Sequence, residues 1–269
     1  MGTGRRTAAA VLCAAALIGG AAGCGGSDGS GRAGGADRSK GGESSGAAAM
    51  SDTQRMNESL NLFKGYRSFR MKGEFRQQIP RMVDLRADRQ GNCVGTYADS
   101  RVPNDVVITG GRAWVRYGEE SQKQLRELTK AAAPDKLAAV DEALAKSRGK
   151  YIEYAAEDVL KDPGLSLCAL DTAFAGIPAK ADKAEKRGNP RTRGGVRIVQ
   201  LTHGSGVGEV SVHVAEKGGN EPRGIDFTLG DTPVMLELDA HDKPVVAKPP
   251  KPSETVQAKD LPALDVLAD

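Results

Sequence analysis

The residue types that usually carry catalysis or bind metals are scarce in this chain. Three histidines and four cysteines occur among 269 residues, and none of them falls at the CxxC or HxxxH spacing of zinc sites. No P-loop is present, and HGSGVG at residues 203–208 fails the spacing of a GxSxG nucleophile elbow. No pair of carboxylates is spaced to share a proton. These absences predict a protein that is not an enzyme and has no metal site and no cofactor.

The histidines also stand apart from one another. His203 falls at the end of a predicted strand, His213 alternates with the valines around it, and His241 is close to a predicted turn. Each is therefore expected to face solvent.

An excess of charge of one sign is lacking as well. The formal net charge is +3, and removing Arg5 and Arg6 from the 38 basic residues leaves 36 against 35 acidic residues. These charges are interspersed, whereas a nucleic-acid surface needs basic residues concentrated on one face. No nucleic-acid partner is predicted. The charged stretch at residues 179–195 is interpreted as a solvent-exposed excursion.

The sequence contains one pronounced apolar run, and this run is too short to span a bilayer. Residues 7–18 form it, whereas a membrane-spanning helix needs about 20 residues. Arg5 and Arg6 precede the run, and residues 19–23 are all glycine or alanine. Positive, apolar and small residues in this order are typical of a signal peptide, so residues 1–23 are predicted to be one.

The end of this segment, AAGC at residues 21–24, resembles the lipobox of bacterial lipoproteins. In that signal the cysteine receives a diacylglyceryl group, with palmitate as a common acyl chain, and becomes the first mature residue. Ala21 departs from the leucine that is usual there, and an ordinary secretory signal with an incidental Cys24 is the alternative. Residues 25–49 contain no apolar residue larger than alanine, so residues 24–50 are expected to form a disordered tether. The tether favours lipidation of Cys24 and a lipid-anchored protein on the extracytoplasmic face of the cell membrane.

Two cysteines remain for the folded part, because Cys13 leaves with the signal peptide. Cys93 and Cys168 lie 75 positions apart. An even count in an exported chain predicts a Cys93–Cys168 disulfide. Zinc is the alternative, but two thiols alone do not make a tetrahedral site. Closing so long a loop stabilises a fold by about 4 kcal/mol in the chain-entropy model.

Hydrophobic periodicity divides the rest into helices and strands. Helices are predicted at residues 51–66, with Ser51 as N-cap, and at 119–132, 135–148 and 164–174. Strands are predicted at residues 68–79, 82–88, 93–97, 105–109, 112–117, 196–202, 209–215, 224–229 and 233–239, with a last short strand at 243–248. The order predicts one α+β domain over residues 51–250, a curved antiparallel sheet with helices on one face. Residues 251–269 are expected to be a proline-containing C-terminal tail.

Several segments in this order resemble actinobacterial lipoproteins of the LppX/LprG type, which have the LolA-like fold. They are SFRMKGEF, DLRADRQGNCVGTY, VVITGGRAWVRY, GKYIEY, LSLCAL and DKPVVAKPP. The resemblance covers residues 52–250 and rests on the order of the segments, since none of them is specific alone. It departs after Trp114, where relatives often continue Lys-Pro-Asp and this chain has VRYGEE.

The resemblance implies a curved antiparallel β half-barrel with helices packed on its concave face and an apolar cavity between them. It further implies a hydrophobic ligand, an acyl lipid, that is bound there and moved across the envelope. The candidate ligand-contacting residues are Phe69, Met71, Phe75, Val83, Leu85, Ile108 and Trp114. The alternative is that these side chains fill an ordinary core and the chain is a non-enzymatic interaction or scaffold lipoprotein. A monomer is expected, and no protein partner is indicated.

Overall fold

A computed structural model describes residues 50–77, 80–99 and 102–265. The predicted signal peptide, Cys24 and residues 25–49 lie outside the described residues, as does the end of the predicted strand 68–79 at Ile79. No helix in the described ranges is both long and apolar enough to cross a bilayer.

One open sheet of twelve strands forms the body of the described chain. The strands are β1 (Ser68–Phe75), β2 (Arg81–Asp88), β3 (Cys93–Asp99), β4 (Val102–Thr109), β5 (Arg112–Tyr117), β6 (Tyr151–Ala155), β7 (Glu185–Arg193), β8 (Val196–His203), β9 (Val210–Ala215), β10 (Gly224–Leu229), β11 (Thr232–Asp239) and β12 (Thr255–Gln257). Their order across the sheet is β12-β6-β5-β4-β3-β2-β1-β11-β10-β9-β8-β7. β12 pairs parallel with β6 and the other described pairs are antiparallel. The predicted α+β class and curved antiparallel half-barrel are thereby confirmed.

Two glycines let neighbouring strands come close together within the sheet. A Cβ atom at Gly73 would lie 1.9 Å from the carbonyl oxygen of Met235, and one at Gly95 would lie 2.0 Å from that of Asp84. Gly95 also has φ +148°, in a region that favours glycine. Any side chain at these positions would push β1 away from β11 and β3 away from β2.

Helices cover one face of the sheet. They are α1 (Asp52–Gly65), α2 (Glu119–Ala132), α3 (Leu137–Ser147), α4 (Ala156–Val159), α5 (Pro163–Ser166), α6 (Leu170–Ala173) and α7 (Pro262–Asp265). Ser51 caps α1 as predicted, since its hydroxyl accepts from the Gln54 N–H at 3.2 Å and the Gln54 side chain accepts from the Ser51 N–H at 2.8 Å. This reciprocal capping box satisfies two backbone donors that a helix start otherwise leaves unpaired.

The buried apolar side chains form two clusters. The main core joins the concave sheet face to α1 and to residues 160–184. The second core is smaller and joins β6 to α3 and α7 through Ile152, Val140, Leu144, Leu261 and Leu264. Since Ile152 pairs with Val115 of the main core, the second core extends the same concave face toward the β12 edge.

Several predicted boundaries differ from the structure. The excursion at residues 179–195 contains the edge strand β7, which is exposed along most of its length. Residues 164–174 form two one-turn helices instead of one, and residues 243–248 form no strand. Residues beyond 250 continue the fold through β12 and α7, because Leu261 and Leu264 are buried in the second core. β6, at residues 151–155, is an additional strand.

The free edge at β7 is protected against pairing with another chain. Its register with β8 shifts between Arg187 and Arg191, and Pro190 lies in the shift. Proline, charge and a bulge are the usual means by which an edge strand avoids aggregation.

Candidate functional site

The concave face of the sheet brings six of the seven candidate ligand-contacting residues together. They lie on β1, β2 and β4, and each is at most 3% exposed: Phe69, Met71, Phe75, Val83, Leu85 and Ile108. All six belong to the main core. Alternation along a strand puts every second side chain on one face. The period-2 pattern of the sequence is therefore sufficient to group these six side chains.

Trp114 is separated from the other six because it lies on the convex face. Its neighbours Ala113 and Val115 belong to the main core, so alternation along β5 turns the indole the other way. The Trp114 Nε1 donates to Glu153 Oε2 at 3.2 Å, and Gln257 Nε2 donates to the same oxygen at 3.1 Å. Trp114 thus helps to join β5, β6 and β12 on the convex side.

The concave face is closely packed in this conformation. Met71, Phe75 and Leu85 are 0% exposed. Neither bulk solvent nor an internal void large enough for a water molecule therefore borders these three side chains. Two open clefts, of about 350 and 440 Å³, lie elsewhere, at the α2–α3 end of the molecule. For these three side chains, the packing is the one that the filled-core alternative predicts.

One part of the covering layer, α1, is firmly fixed. On one side, Arg55 donates to the side chain of Asn220 at 3.0 Å, and Asn220 donates to Glu58 Oε2 at 2.9 Å. On the other side, the Asn57 carboxamide accepts from the Ala181 N–H at 2.7 Å and donates to the Ala181 carbonyl at 2.9 Å. These bonds hold the helix to chain segments on both of its flanks, so α1 is expected to stay in place when other parts move.

The other part of the covering layer, residues 156–177, is here called the cover segment. It contains only the one-turn helices α4, α5 and α6. Helices this short are not stable by themselves, because forming the first turn costs more than it returns. Their position depends on contacts with the sheet, through Leu165, Leu167, Leu170, Phe174 and Ile177 in the main core.

A disulfide and two ion pairs connect the cover segment to the sheet. The predicted bond joins Cys93 of β3 to Cys168, with the two Cα atoms 5.5 Å apart. Arg81 Nη1 lies 3.1 Å from Asp162 Oδ2, and Arg89 pairs with Asp171. Asp162 also caps α5, accepting from the backbone N–H groups of the second and third residues after it. The cover segment therefore depends on these links and on its apolar contacts, whereas α1 is in addition a capped helix of 14 residues.

The concave face becomes polar at one end. There Tyr97, Asn104 and Tyr117 pair side by side on β3, β4 and β5. Asn104 lies two residues before Val106 of the main core, so its side chain faces the interior. Arg81 also faces inward, because it pairs with Phe75. The sequence pattern alone did not indicate this polar end, since its members come from four strands.

His213 is buried and the side chain of His241 is 8% exposed, which corrects the expectation that all three histidines face solvent. His213 Nε2 lies 3.0 Å from Asp226 Oδ2 on the convex face, and His241 Nδ1 lies 2.7 Å from Glu221 Oε1. Carboxylate partners compensate this burial, namely Asp226 on the neighbouring strand β10 and Glu221 just before that strand. Such partners are distant in sequence, so the local pattern could not reveal them. In the described part of the chain, no group of three His, Cys, Asp or Glu side chains is placed to hold a metal ion.

Comparison with known proteins finds similarity in fold. No family model matches the chain, and no curated protein matches it in sequence. LprF from Mycobacterium bovis is 12% identical with a TM-score of 0.49, covering 74% of this chain and 96% of its own. The lipoprotein LppX from Mycobacterium tuberculosis is 10% identical with a TM-score of 0.44, covering 73% and 98%. An uncharacterized conserved protein from Thermus thermophilus is 10% identical with a TM-score of 0.33, covering 76% and 98%.

LprF and LppX are lipoproteins of the type that the sequence resembles. At such identities and TM-scores the likeness concerns the course of the chain alone. Ligand and partner have to be argued from the residues of this protein.

Proposed function

We propose that this chain is a membrane-anchored, extracytoplasmic lipoprotein that binds a hydrophobic ligand, an acyl lipid, between the concave sheet face and the cover segment. It acts without catalysis, and a transport role across the envelope follows if the ligand is released to another carrier. The observation that supports the proposal is that two different kinds of element cover one continuous apolar face. A capped helix is fixed over one part of it, and three one-turn helices cover the other.

Binding in this proposal is an exchange of one apolar surface for another. The cover segment moves away from β2 while the disulfide keeps Cys168 at β3, and an acyl chain takes its place against Val83, Leu85 and their neighbours. Exposing the face to water would cost about 25 cal/mol per Å² of apolar surface. A bound chain removes most of that cost, so the open form is favoured when ligand is present.

The filled-core alternative is a second candidate, a scaffold lipoprotein that acts through its outer surface. The close packing around Met71, Phe75 and Leu85 favours it. The two candidates differ in one respect that can be measured: only the first requires the cover segment to open and admit a ligand.

A pair of tryptophan substitutions tests the binding site. Leu85→Trp adds bulk to the concave face, whereas Val94→Trp adds it to the convex face of the neighbouring strand, where Val94 pairs with Arg86. Titration of residues 50–269 with a fluorescent fatty-acid analogue should show at least tenfold weaker binding for Leu85→Trp and unchanged binding for Val94→Trp. Equal binding by the two variants would place the ligand elsewhere.

Thermal unfolding of both variants is the control for folding. Inserting bulk into a packed core costs about 1–3 kcal/mol, so Leu85→Trp should fold with a lower Tm. Leu85→Phe, a smaller increase in volume, replaces it if that variant does not fold.

The anchor is tested separately at Cys24. Cys24→Ala removes the thiol to which a diacylglyceryl group would attach, and should release the protein from membranes or block its maturation. Cys13→Ala, inside the predicted signal peptide, is the matched control and should leave membrane association unchanged. Fractionation of cells that produce each variant gives the answer. A Cys24→Ala protein that is processed normally and stays in the membrane fraction contradicts the proposed anchor.

A further inference from the structure

We infer that the row formed by Tyr97, Asn104 and Tyr117 binds the polar head of the ligand, and that this head is uncharged and donates hydrogen bonds. The inference rests on the proposed function, because it assumes an amphiphilic ligand on the concave face. It adds the orientation of that ligand and the chemical class of its head.

The position of the row follows from strand register. Asn104 pairs with Tyr97 on one side and with Tyr117 on the other, so the three residues lie abreast on β3, β4 and β5. The next inward-facing residue along β4 is Val106, which is apolar and belongs to the main core. An extended amphiphile on the concave face can therefore place its chain along the apolar residues and its head at this row.

The Asn104 side chain contains a buried acceptor that needs a hydrogen-bond donor. The residue is 4% exposed, and its Oδ1 is buried without a hydrogen-bond partner in the described part of the chain. Leaving a buried acceptor unpaired costs about 1–3 kcal/mol. The group that satisfies it must be a donor, so a hydroxyl or an amide N–H fits this position and a carboxylate does not.

The tyrosines suit a boundary between an apolar interior and a polar end. Tyr97 belongs to the main core, and Tyr117 is partly buried against both cores. A tyrosine contributes an apolar ring and a polar tip, which is the composition needed where chain and head meet. Tyr117 also lines the open cleft of about 350 Å³ outside the row, which gives room for the outer part of a head.

The unsatisfied acceptor of Asn104, without a net positive charge beside it, argues against an anionic head. Arg81, the inward-facing cation at this end, already pairs with Asp162 at 3.1 Å. The adjoining cleft is lined by two acidic residues, Asp105 and Glu119, and by two basic residues, Arg116 and Arg148, and Arg116 is paired with Asp105. These opposite charges give an anionic head no net attraction, while the Asn104 oxygen repels a carboxylate. A glycerol-type head with free hydroxyls supplies the missing donor.

Three ligands with the same acyl chain test the inference: 1-monolauroylglycerol, methyl laurate and laurate. Each competes against a fluorescent fatty-acid analogue for residues 50–269 at pH 7. The unaltered protein should bind monolauroylglycerol about three- to tenfold more tightly than methyl laurate, the gain that one added hydrogen bond supplies. Laurate should bind no more tightly than methyl laurate.

Substitutions test whether Asn104 causes the preference for monolauroylglycerol over methyl laurate. Asn104→Leu keeps the size of the side chain and removes its polar atoms, so it should equalise monolauroylglycerol and methyl laurate. Asn104→Asp keeps an acceptor and adds charge, so it should keep monolauroylglycerol and weaken laurate further. Ser59→Ala is the control, because the Ser59 hydroxyl is also buried without a partner in the described residues but belongs to α1. It should leave the preference as it is.

The outcomes separate the two proposals. If none of the three ligands binds, the proposed function fails and this inference falls with it. If monolauroylglycerol and methyl laurate bind equally to the unaltered protein, or if the preference survives in Asn104→Leu, the head-group assignment is wrong while ligand binding stands. Loss of the preference in Ser59→Ala would also overturn the assignment to Asn104.

Discussion

Polar side chains at the end of α1 show how single residues fix the position of a helix. The Tyr66 ring stacks on the His241 ring with centroids 4.2 Å apart, and Glu221 binds His241 at 2.7 Å. His241 lies between Ala240 and Asp242, both of which have positive φ. Non-glycine residues with positive φ persist only where the surrounding contacts determine their conformation.

The raised pKa of Tyr66 predicts how the stability of the fold changes at alkaline pH. Burial, with added effects of Glu221 and Asp242, raises the pKa of Tyr66 to about 12 from its ordinary value of 10.0. The folded state therefore holds this proton more tightly than the unfolded state. The corresponding stability is complete below pH 10 and is lost as the pH rises from 10 to 12.

Tyr66→Phe keeps the ring and removes the proton. Its free energy of unfolding should fall less steeply between pH 10 and pH 12 than that of the unaltered protein, as measured by urea unfolding at several pH values. Lysines titrate in the same window in both proteins, so only the difference between the two curves is informative. Parallel curves would show that Tyr66 does not contribute.

Sequence reasoning succeeds at residues whose role is set by their own strand. Phe69, Met71 and Leu85 follow from alternation, and the Cys93–Cys168 pairing follows from count and compartment. It fails at Arg81 and at the buried histidines, because their environment depends on residues far along the chain. Trp114 has the apolar character of a core residue, but its place in the alternation of β5 puts it on the convex face.

The short helices of the cover segment differ from the longer helices in the interactions that stabilise them. α2 and α3 follow from their own sequences, and their bounds agree with or fall within those predicted from periodicity. α4, α5 and α6 have one turn each and depend on tertiary contacts. For the same reason the three-residue β12 could not be predicted, since its pairing with β6 is what makes it a strand.

Removing the disulfide should loosen the cover segment. The double substitution Cys93→Ala and Cys168→Ala removes the covalent link between β3 and this segment, and should lower the free energy of unfolding by up to about 4 kcal/mol. Chymotrypsin should then cut within residues 156–177 sooner than in the unaltered protein, as read by mass spectrometry. Uptake of a fluorescent fatty-acid analogue should also become faster.

The matched control is Lys161→Ala, in the same segment. It removes the surface ion pair with Asp158 and leaves the disulfide in place. Cleavage and uptake should not change in this variant. If the double cysteine variant is as resistant to chymotrypsin as Lys161→Ala, the cover segment is held by its packing and the disulfide does not control its opening.

The described part of the chain combines a broad open sheet with a covering layer that has two unlike parts, α1 and the cover segment. Twelve strands present one continuous concave face, and the two cores on it meet at Tyr117 and Tyr154. A filled core of this area would be stable without any ligand, and the packing around Leu85 is consistent with that. The proposed function requires the further property that the cover segment opens when a ligand is available.

Native mass spectrometry of residues 50–269 tests this requirement most directly. The protein is produced in a host that contains acyl lipids, purified without detergent and measured before and after delipidation. We expect a species with one bound acyl lipid, which delipidation removes and added monoacylglycerol restores. A single mass for the bare chain throughout, with no binding of a fluorescent fatty-acid analogue, would contradict the proposed ligand binding and favour the scaffold lipoprotein.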